Sequence, residues 1–225
     1  ITGATSGIGR AFARELAGRG HDLWISGRRS TQLSELAVEL ENNHGVSVTV
    51  VVGDLANSEP EAKLVAAARA HPFSFLVNNA GFGFNSDVAQ ADWAMFDRMM
   101  RVHGTVPLKL IHAALPSMIA AGEGTIINVG SLAGRVAVPG STLYVATKSL
   151  LERFSEALAL EVWENGIVVQ ALLPGYVKTD FHRDVPNYTS KQRSRGMIRW
   201  MRAEDVVKTS MRAADRANRR LRRGN

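Results

Sequence analysis

Short, continuously apolar runs alternate with segments of helical length along this chain, and this alternation narrows the folds that it can adopt. Five runs predict strands, at residues 23–26, 46–52, 75–77, 126–129 and 168–172. Their β-branched content and continuous apolarity are typical of strands buried on both faces of a sheet. Because helix-length segments separate the runs, the sequence predicts an α/β fold with a doubly wound parallel sheet and right-handed crossovers.

Apolar side chains at helical spacing indicate which helix faces are buried. The first two stripes consist of Ile8, Phe12 and Leu16 and of Leu33, Leu36 and Leu40. Ser58 and Glu61 have the spacing of a capping box, which predicts the start of a third helix. Two longer helices are expected over residues 92–121 and 143–165, and the first is expected to be interrupted or bent near Pro107.

No repeat or linker interrupts the 225 residues, of which 45% are hydrophobic, so we expect a single domain spanning residues 1–225. No strand precedes the turn at Ile1 and none follows Gly224, so we expect the domain to be trimmed at both ends. Residues 110–122 are uncharged but too few to cross a membrane. The lack of a signal peptide and of cysteine is compatible with the cytoplasmic location that we expect.

Composition also excludes several kinds of site. Without cysteine, the chain has no disulfide, no thiolate nucleophile and no cysteine-ligated zinc. Its histidines form no ligand-spaced cluster, so no metal is predicted. The net charge of +6 arises late, because residues 182–202 and 212–225 each carry six basic side chains against one acid. Since the rest of the chain is net acidic, we expect no nucleic-acid partner; the two segments are either solvated surfaces or attract an anionic ligand.

A glycine-rich turn opens the chain and runs into the first helix. It consists of Thr2, Gly3, Ala4, Thr5, Ser6, Gly7, Ile8 and Gly9. Glycine lets the backbone approach a pyrophosphate closely, and the following helix N-terminus offers free N–H groups to it. Because a strand follows this helix, the turn predicts a dinucleotide-binding site.

The strand after this helix ends in Gly27-Arg28-Arg29. A site specific for NAD needs an acid at this position to bind the ribose 2′-hydroxyl, whereas arginine suits a 2′-phosphate. Since no acid stands at the strand end, the sequence predicts NADP(H) as the cofactor.

Further motifs follow the glycine turn in a fixed order. They are Asp54-Leu55, Asn78-Asn79-Ala80-Gly81, Ser131, Tyr144-x-x-x-Lys148 and Pro174-Gly175. With the glycine spacing Thr-Gly-x-x-x-Gly-x-Gly, this set resembles the short-chain dehydrogenase/reductase family, in its short single-domain branch, over nearly all of residues 1–180. The chain is most similar to the subgroup of general reductases and 3-ketoacyl reductases. The resemblance implies a Rossmann-type fold.

The resemblance also implies a catalytic set of Ser131, Tyr144 and Lys148. Tyr144 and Lys148 share one helix face because they are four residues apart. A free phenol has a pKa of about 10, and an adjacent ammonium with an oxidised nicotinamide is expected to lower it. Tyr144 would then act as general acid towards a carbonyl or as base towards an alcohol. Ser131 would bind the same oxygen, and Lys148 would also hold the nicotinamide ribose.

Cofactor contacts are implied in the same way. Asp54 would bind the adenine amine and Leu55 would contribute backbone, while Asn79, Ala80 and Gly81 would lie against the adenosine ribose. The backbone of Pro174 and Gly175 would lie close to the nicotinamide, and the side chain of Thr179 would bond its carboxamide. Asp54 as a turn-capping residue is the alternative to its cofactor role.

One position departs from the family pattern. Where the family has an active-site Asn, this chain has His103 in the register that keeps residues 107–118 ungapped, and Arg101 in another register. We prefer His103 and count it with the catalytic residues. Its imidazole would take part in a proton relay or would be a satisfied interior side chain.

Together these features predict an oxidoreductase that transfers a hydride between NADP(H) and a carbonyl or alcohol, with Tyr144 as general acid/base. The alternatives are a catalytically silent nucleotide-binding regulator of the same fold and a longer-branch sugar-nucleotide enzyme. The substrate is expected to be a small molecule, with an acyl thioester as one option, and residues 176–203 are expected to form its lid. The helix over 143–165 carries apolar residues on overlapping faces, namely Leu150, Leu151, Phe154 and Leu158. The resemblance implies that this helix and its predecessor pair across a two-fold axis, so we expect a homodimer or homotetramer.

Overall fold

The computed structural model describes residues 1–182 and 200–224. Within these ranges the strands are β1 (Leu23–Gly27), β2 (Val48–Val52), β3 (Phe75–Asn78), β4 (Gly124–Val129) and β5 (Ile167–Leu172). The α-helices are α1 (Gly7–Ala17), α2 (Ser30–His44), α3 (Ser58–Ala70), α4 (Trp93–Met100), α5 (Val106–Ala121), α6 (Thr142–Val162) and α7 (Ala203–Gly224). Strands and helices alternate along the chain, as predicted.

The strands form parallel pairs. Within the described residues β1 pairs with β2, and β4 lies between β3 and β5. Residues 1–4 join the two groups, because Thr2 N–H donates to the Val77 carbonyl at 3.0 Å and Ser26 N–H donates to the Ile1 carbonyl at 3.0 Å. The predicted doubly wound parallel sheet is therefore confirmed, and the carboxyl ends of its strands all meet at one edge.

Two apolar cores lie on opposite faces of the sheet. One contains the predicted stripes of α1 and α2 together with Val207 and Met211 of α7. The other contains Leu64 of α3, Leu110 of α5 and Leu158 of α6. Because both faces are covered, the central strand β4 is buried along its whole length.

The long helix expected over residues 92–121 is interrupted. Helix α4 ends at Met100, residues Arg101–Thr105 form a π-helical turn, and α5 begins at Val106. Pro107 therefore lies in the first turn of α5, directly after the π-helical turn. The irregularity stands just before Pro107 and brings His103 into the interior, where it is 1% exposed.

The predicted capping box at Ser58 and Glu61 is wrong. Helix α3 does begin at Ser58, but no side chain caps it. The Glu61 carboxylate instead turns inward and pairs with Arg101 and Lys109, so that its side chain is only 6% exposed. Local spacing gave the right helix start, but tertiary ion pairs, which no local pattern contains, decide where this carboxylate goes.

Candidate active site

A cleft of about 610 Å³ lies at the carboxyl ends of the strands, the usual place for ligands in open α/β sheets. All the predicted site residues line it except two, Gly9 and His103, which lie directly behind its wall. The lining residues among them are Gly3, Thr5, Ser6, Gly7, Ile8, Arg28, Arg29, Asp54, Leu55, Asn79, Ala80, Gly81, Ser131, Tyr144, Lys148, Pro174, Gly175 and Thr179.

The glycine turn forms one end of the cleft, and its shape depends on glycine. Gly3 and Gly7 have φ angles of 67° and 55°, a left-handed region that other residues rarely adopt. A Cβ at Gly9 would collide with the Gly3 carbonyl and the Asn79 side chain, so Gly9 lets the first turn of α1 pack against the loop. Ser6 precedes α1 but its side chain caps no N–H, which leaves the helix N-terminus open to an anion.

Asn79 and Ala80 follow β3, and their hydrogen bonds join the carboxyl end of this strand to the glycine turn. The Thr2 hydroxyl accepts hydrogen bonds from the Asn79 and Ala80 N–H groups at 2.9 and 3.0 Å, and Asn79 Nδ2 donates to the Thr2 and Gly3 carbonyls. Asn79 therefore has a structural role in the cleft wall, whichever ligand the cleft takes.

The two arginines after β1 differ in their surroundings. Arg28 is exposed on the cleft rim, and no carboxylate of the described residues pairs with it. Arg29 is half-buried: its Nη1 lies 2.9 Å from Asp180 Oδ2, and its Nη2 donates to the Thr5 hydroxyl at 2.9 Å. Arg28 is thus the more accessible cation, whereas Arg29 already has an anionic partner.

Asp54 is held by two partners at the cleft wall. Its Oδ1 accepts from the Ala56 N–H at 2.9 Å, as the turn-capping alternative requires, and its Oδ2 pairs with Arg98. Arg98 also lines the cleft and stacks 5.7 Å above the Phe82 ring. Sequence reasoning missed Arg98, because only the fold brings this α4 residue to a turn 44 positions earlier.

Ser131, Tyr144 and Lys148 meet at the other end of the cleft. The Ser131 hydroxyl accepts from the Ala133 N–H at 3.1 Å and starts a short 3₁₀ turn, Leu132–Arg135. Lys148 Nζ donates to the Val129 carbonyl at 2.9 Å and lies 5.8 Å from the Tyr144 ring centroid. The strand-to-helix loop and the first turns of α6 thus bring these three side chains together.

Burial controls the protonation of this group. It raises the pKa of Tyr144 above its usual value of 10, and a hydrogen bond with Ser131 acts against that rise. The same burial lowers the pKa of Lys148 to about 8. In the protein alone burial therefore dominates the pKa of Tyr144, and the lowering expected with an oxidised nicotinamide stays a prediction.

His103 is a satisfied interior side chain. Its Nε2 accepts from the Phe82 N–H at 3.0 Å, so Nδ1 carries the proton and donates to the Thr147 hydroxyl at 3.0 Å. That hydroxyl in turn donates to the Tyr144 carbonyl at 2.8 Å. Burial, with a smaller effect of the Lys148 charge, lowers the pKa of His103 well below 6.5. Arg101, the alternative register, pairs with Glu61 instead.

The segment after β5 covers one side of the cleft. Thr179 lies against the glycine turn, since a Cβ on Gly7 would come within 2.6 Å of Thr179 Cγ2, and its hydroxyl accepts from the Phe181 N–H at 3.3 Å. The Phe181 ring lies 5.9 Å from that of Tyr144. Lys178 N–H donates to the Met201 carbonyl at 3.0 Å, so both ends of the predicted lid are joined. Its centre, residues 183–199, lies outside the described residues.

Residues 1–182 and 200–224 contain neither a candidate metal cluster nor a membrane-spanning helix. No group of three or more acidic or histidine side chains there has the arrangement of a metal site. No helix in these ranges has both the length and the apolarity needed to cross a membrane.

Comparison with known proteins gives consistent matches. Residues 1–189 match the family described as short chain dehydrogenase. The chain is 38% identical over 188 residues to the sulfoacetaldehyde reductase of Chromohalobacter salexigens, covering 80% of this chain and 72% of that relative. It is 34% identical over 185 residues to the very-long-chain 3-oxoacyl-CoA reductase of Anas platyrhynchos, covering 80% of this chain but only 59% of that relative.

Solved structures agree with this result. A short-chain dehydrogenase from Sphingobium yanoikuyae in complex with NADPH superposes with a TM-score of 0.87 at 30% identity, covering 96% of this chain and 84% of that one. The similarity thus extends beyond the matched family region to the described part of α7.

Proposed function

Because this chain belongs to the short chain dehydrogenase family of oxidoreductases, we propose that it transfers a hydride between NADP(H) and a carbonyl or alcohol substrate. One observation carries the proposal: Ser131, Tyr144 and Lys148 converge at one end of a cleft whose other end is a glycine turn with an open helix N-terminus. Hydride transfer to a carbonyl needs a proton donor beside a dinucleotide, and this cleft offers both.

The dinucleotide fits the groups that line the cleft. Its pyrophosphate would lie on the glycine turn, where Gly3 and Gly7 bring backbone close and the α1 N-terminus favours negative charge. Its 2′-phosphate would bind the two arginines at the end of β1, the exposed Arg28 and the half-buried Arg29. Asp54, Leu55, Asn79, Ala80 and Gly81 would form the adenosine wall, and Pro174, Gly175 and Thr179 the nicotinamide wall. When bound, the nicotinamide supplies or accepts the hydride.

Tyr144 is the proton donor in the reducing direction. Because burial raises its pKa, the phenol is protonated at neutral pH and can hydrogen-bond the carbonyl oxygen of a substrate. Ser131 hydrogen-bonds the same oxygen and fixes its position. As negative charge develops on that oxygen, the phenol proton moves to it, and the Lys148 ammonium stabilises the resulting phenolate.

His103 acts on geometry rather than on proton transfer. Both of its ring nitrogens are engaged and its imidazole stays neutral, so it holds the Phe82 backbone beside the cleft and, through Thr147, the first turn of α6. This role replaces the proton relay that was one of the sequence-based alternatives.

The substrate is proposed to be a small carbonyl compound. The names of the relatives support reductase chemistry on an aldehyde and on an acyl-CoA, and an acyl thioester is therefore the second candidate substrate. Aromatic side chains near Tyr144, among them Phe181 and Phe82, suit an apolar group beside the reacting carbonyl. A homo-oligomer and a cytoplasmic location remain proposals.

The competing function is a nucleotide-binding regulator without turnover. A panel of aldehydes, ketones and acyl thioesters, mixed with the protein and NADPH, separates the two by following the loss of NADPH absorbance. We expect turnover with at least one class and a lower Kd for NADPH than for NADH. Tight NADPH binding without turnover on any class would favour the regulator, and tighter binding of NADH would overturn the proposed cofactor.

A further inference from the structure

An ion pair crosses the cofactor end of the cleft. Arg29 stands at the end of β1, whereas Asp180 belongs to the short 3₁₀ turn Asp180–His182 that follows β5. Their closest atoms, Nη1 and Oδ2, are 2.9 Å apart. The second terminal nitrogen of Arg29 donates to the Thr5 hydroxyl, so the guanidinium joins the end of β1 to the Thr5 side of the glycine turn.

The neighbours of Asp180 make this pair part of the cleft wall. Thr179 packs against Gly7 in the glycine turn, and the Phe181 ring lies 5.9 Å from the ring of Tyr144. Asp180 stands between these two contacts and lines the cleft itself. Its carboxylate therefore introduces a negative charge into a region where the phosphates of a cofactor would add further negative charge.

We propose that Asp180 is a specificity-determining residue for the cofactor, because its carboxylate competes with the 2′-phosphate for Arg29. This inference rests on the proposed binding of NADP(H). Asp180 occupies Nη1 of Arg29 and Thr5 occupies Nη2, so both terminal nitrogens already have partners when a phosphate approaches. A phosphate monoester carries a charge of about −1.5 to −2, against −1 for the carboxylate. NADH presents a neutral 2′-hydroxyl and does not compete.

Two physical effects follow from the competition. A bound 2′-phosphate must displace Asp180 from Arg29, and it must also lie near the displaced carboxylate. Asp180 therefore weakens the binding of NADPH more than the binding of NADH. Since the side chains of Arg29 and Asp180 are 34% and 42% exposed, water screens both effects. Removing the charge should therefore change the cofactor preference by only a modest factor, roughly two- to fivefold.

The test is an equilibrium titration of the protein with NADPH and with NADH, in which the fluorescence of the cofactor reports binding. We compare the natural chain with Asp180→Asn, which keeps the size of the side chain and removes its charge. Asp215→Asn serves as the matched control, because Asp215 also pairs with an arginine, Arg19, but stands on α7 and outside the cleft lining. Thermal melting checks that each variant is folded, and Asp180→Ser replaces Asp180→Asn if that variant is not.

We expect Asp180→Asn to lower the Kd for NADPH roughly two- to fivefold, to leave the Kd for NADH nearly unchanged, and to have no such effect when Arg29 is also changed to Gln. An unchanged or reduced preference for NADPH would overturn the inference, as would an equal gain for both cofactors. The natural chain's own preference tests the proposed function separately, since the inference concerns only the change between variants.

Discussion

Lys148 places an ammonium group in the protein interior, where its side chain is 4% exposed and its Nζ has the Val129 carbonyl as a partner. Burial lowers its pKa from 10.5 to about 8. Below pH 8 the lysine is charged in both the folded and the unfolded chain, so the cost of burying the charge is present in full. Between pH 8 and 10.5 Lys148 loses its proton in the folded chain before it does so in the unfolded chain, and the free-energy cost of burying the charge disappears.

This residue therefore predicts a pH-dependent stability. Relative to Lys148→Met, the free energy of unfolding of the natural chain should rise as pH increases from 8 to 10.5, by roughly 3 kcal/mol at most. Urea denaturation at several pH values measures it. Lys208→Met, at an exposed position of α7, is the control for exchanging a lysine for a methionine. If the difference in the free energy of unfolding between Lys148→Met and the natural chain stayed constant from pH 8 to 10.5, this would contradict a charged Lys148 in the interior.

Individual residues also show which parts of the candidate site could be predicted from the sequence and which could not. The family resemblance supplied most of the cleft-lining positions, and the structure shows why they meet: most of these motifs follow a strand, and parallel strands bring their carboxyl ends to one edge. The partners of Asp54 and Arg29 were not predictable, since Arg98 and Asp180 are separated from them by 44 and 151 positions. His103 was predicted as a site residue, but its state depended on burial, which the π-helical turn decides.

Helices α3 and α5 are joined by one buried carboxylate. Glu61 of α3 pairs with Lys109 of α5 and with Arg101 of the π-helical turn, and both cations remain partly exposed to solvent. This triad fixes the turn that carries His103 against the third helix. The sequence predicted an interruption or bend near Pro107 but not its form, because hydrophobic periodicity locates helices and contains no information on a π-helical turn within one.

Because of this triad, substitutions of two glutamates in one helix should change the stability of the protein by different amounts. Glu61→Gln removes a buried charge from two cations and should lower the free energy of unfolding by roughly 1–2 kcal/mol. Glu59→Gln is the control, because Glu59 is 76% exposed and pairs only with Lys63 among the described residues. Urea denaturation compares the two variants, and equal midpoints would show that the triad does not stabilise the α3–α5 contact.

At the scale of the whole molecule, helix α6 has more apolar surface than one chain covers. Leu151 and Leu158 are buried in the monomer, but Leu150 is 37% and Leu160 81% exposed. A second copy covering this helix would bury Leu150 next to the α6 residues that carry the candidate site. The sequence suggested this surplus from overlapping leucine stripes, whereas the structure identifies which leucines the core leaves uncovered.

We accordingly predict a dimer or tetramer by light scattering at micromolar concentration. Leu150→Glu should reduce the measured mass to that of one chain, because a charge would be buried between the copies. Val38→Glu places the same charge at an exposed valine of α2 and should leave the mass unchanged. A natural chain that scatters as a monomer would refute the assembly without affecting the proposed chemistry.

The measurement that tests the central claim most directly compares turnover and binding in Tyr144→Phe. With saturating NADPH and the best carbonyl substrate, we expect kcat/KM to fall by a factor of about 10² to 10⁴, because the proton donor is lost. The Kd for NADPH should remain within about twofold, since the ring still packs beside Lys148. Tyr176→Phe removes the same hydroxyl from an exposed tyrosine whose ring contacts Trp200, and it should lower kcat/KM far less than Tyr144→Phe. Undiminished reduction by Tyr144→Phe would contradict the account.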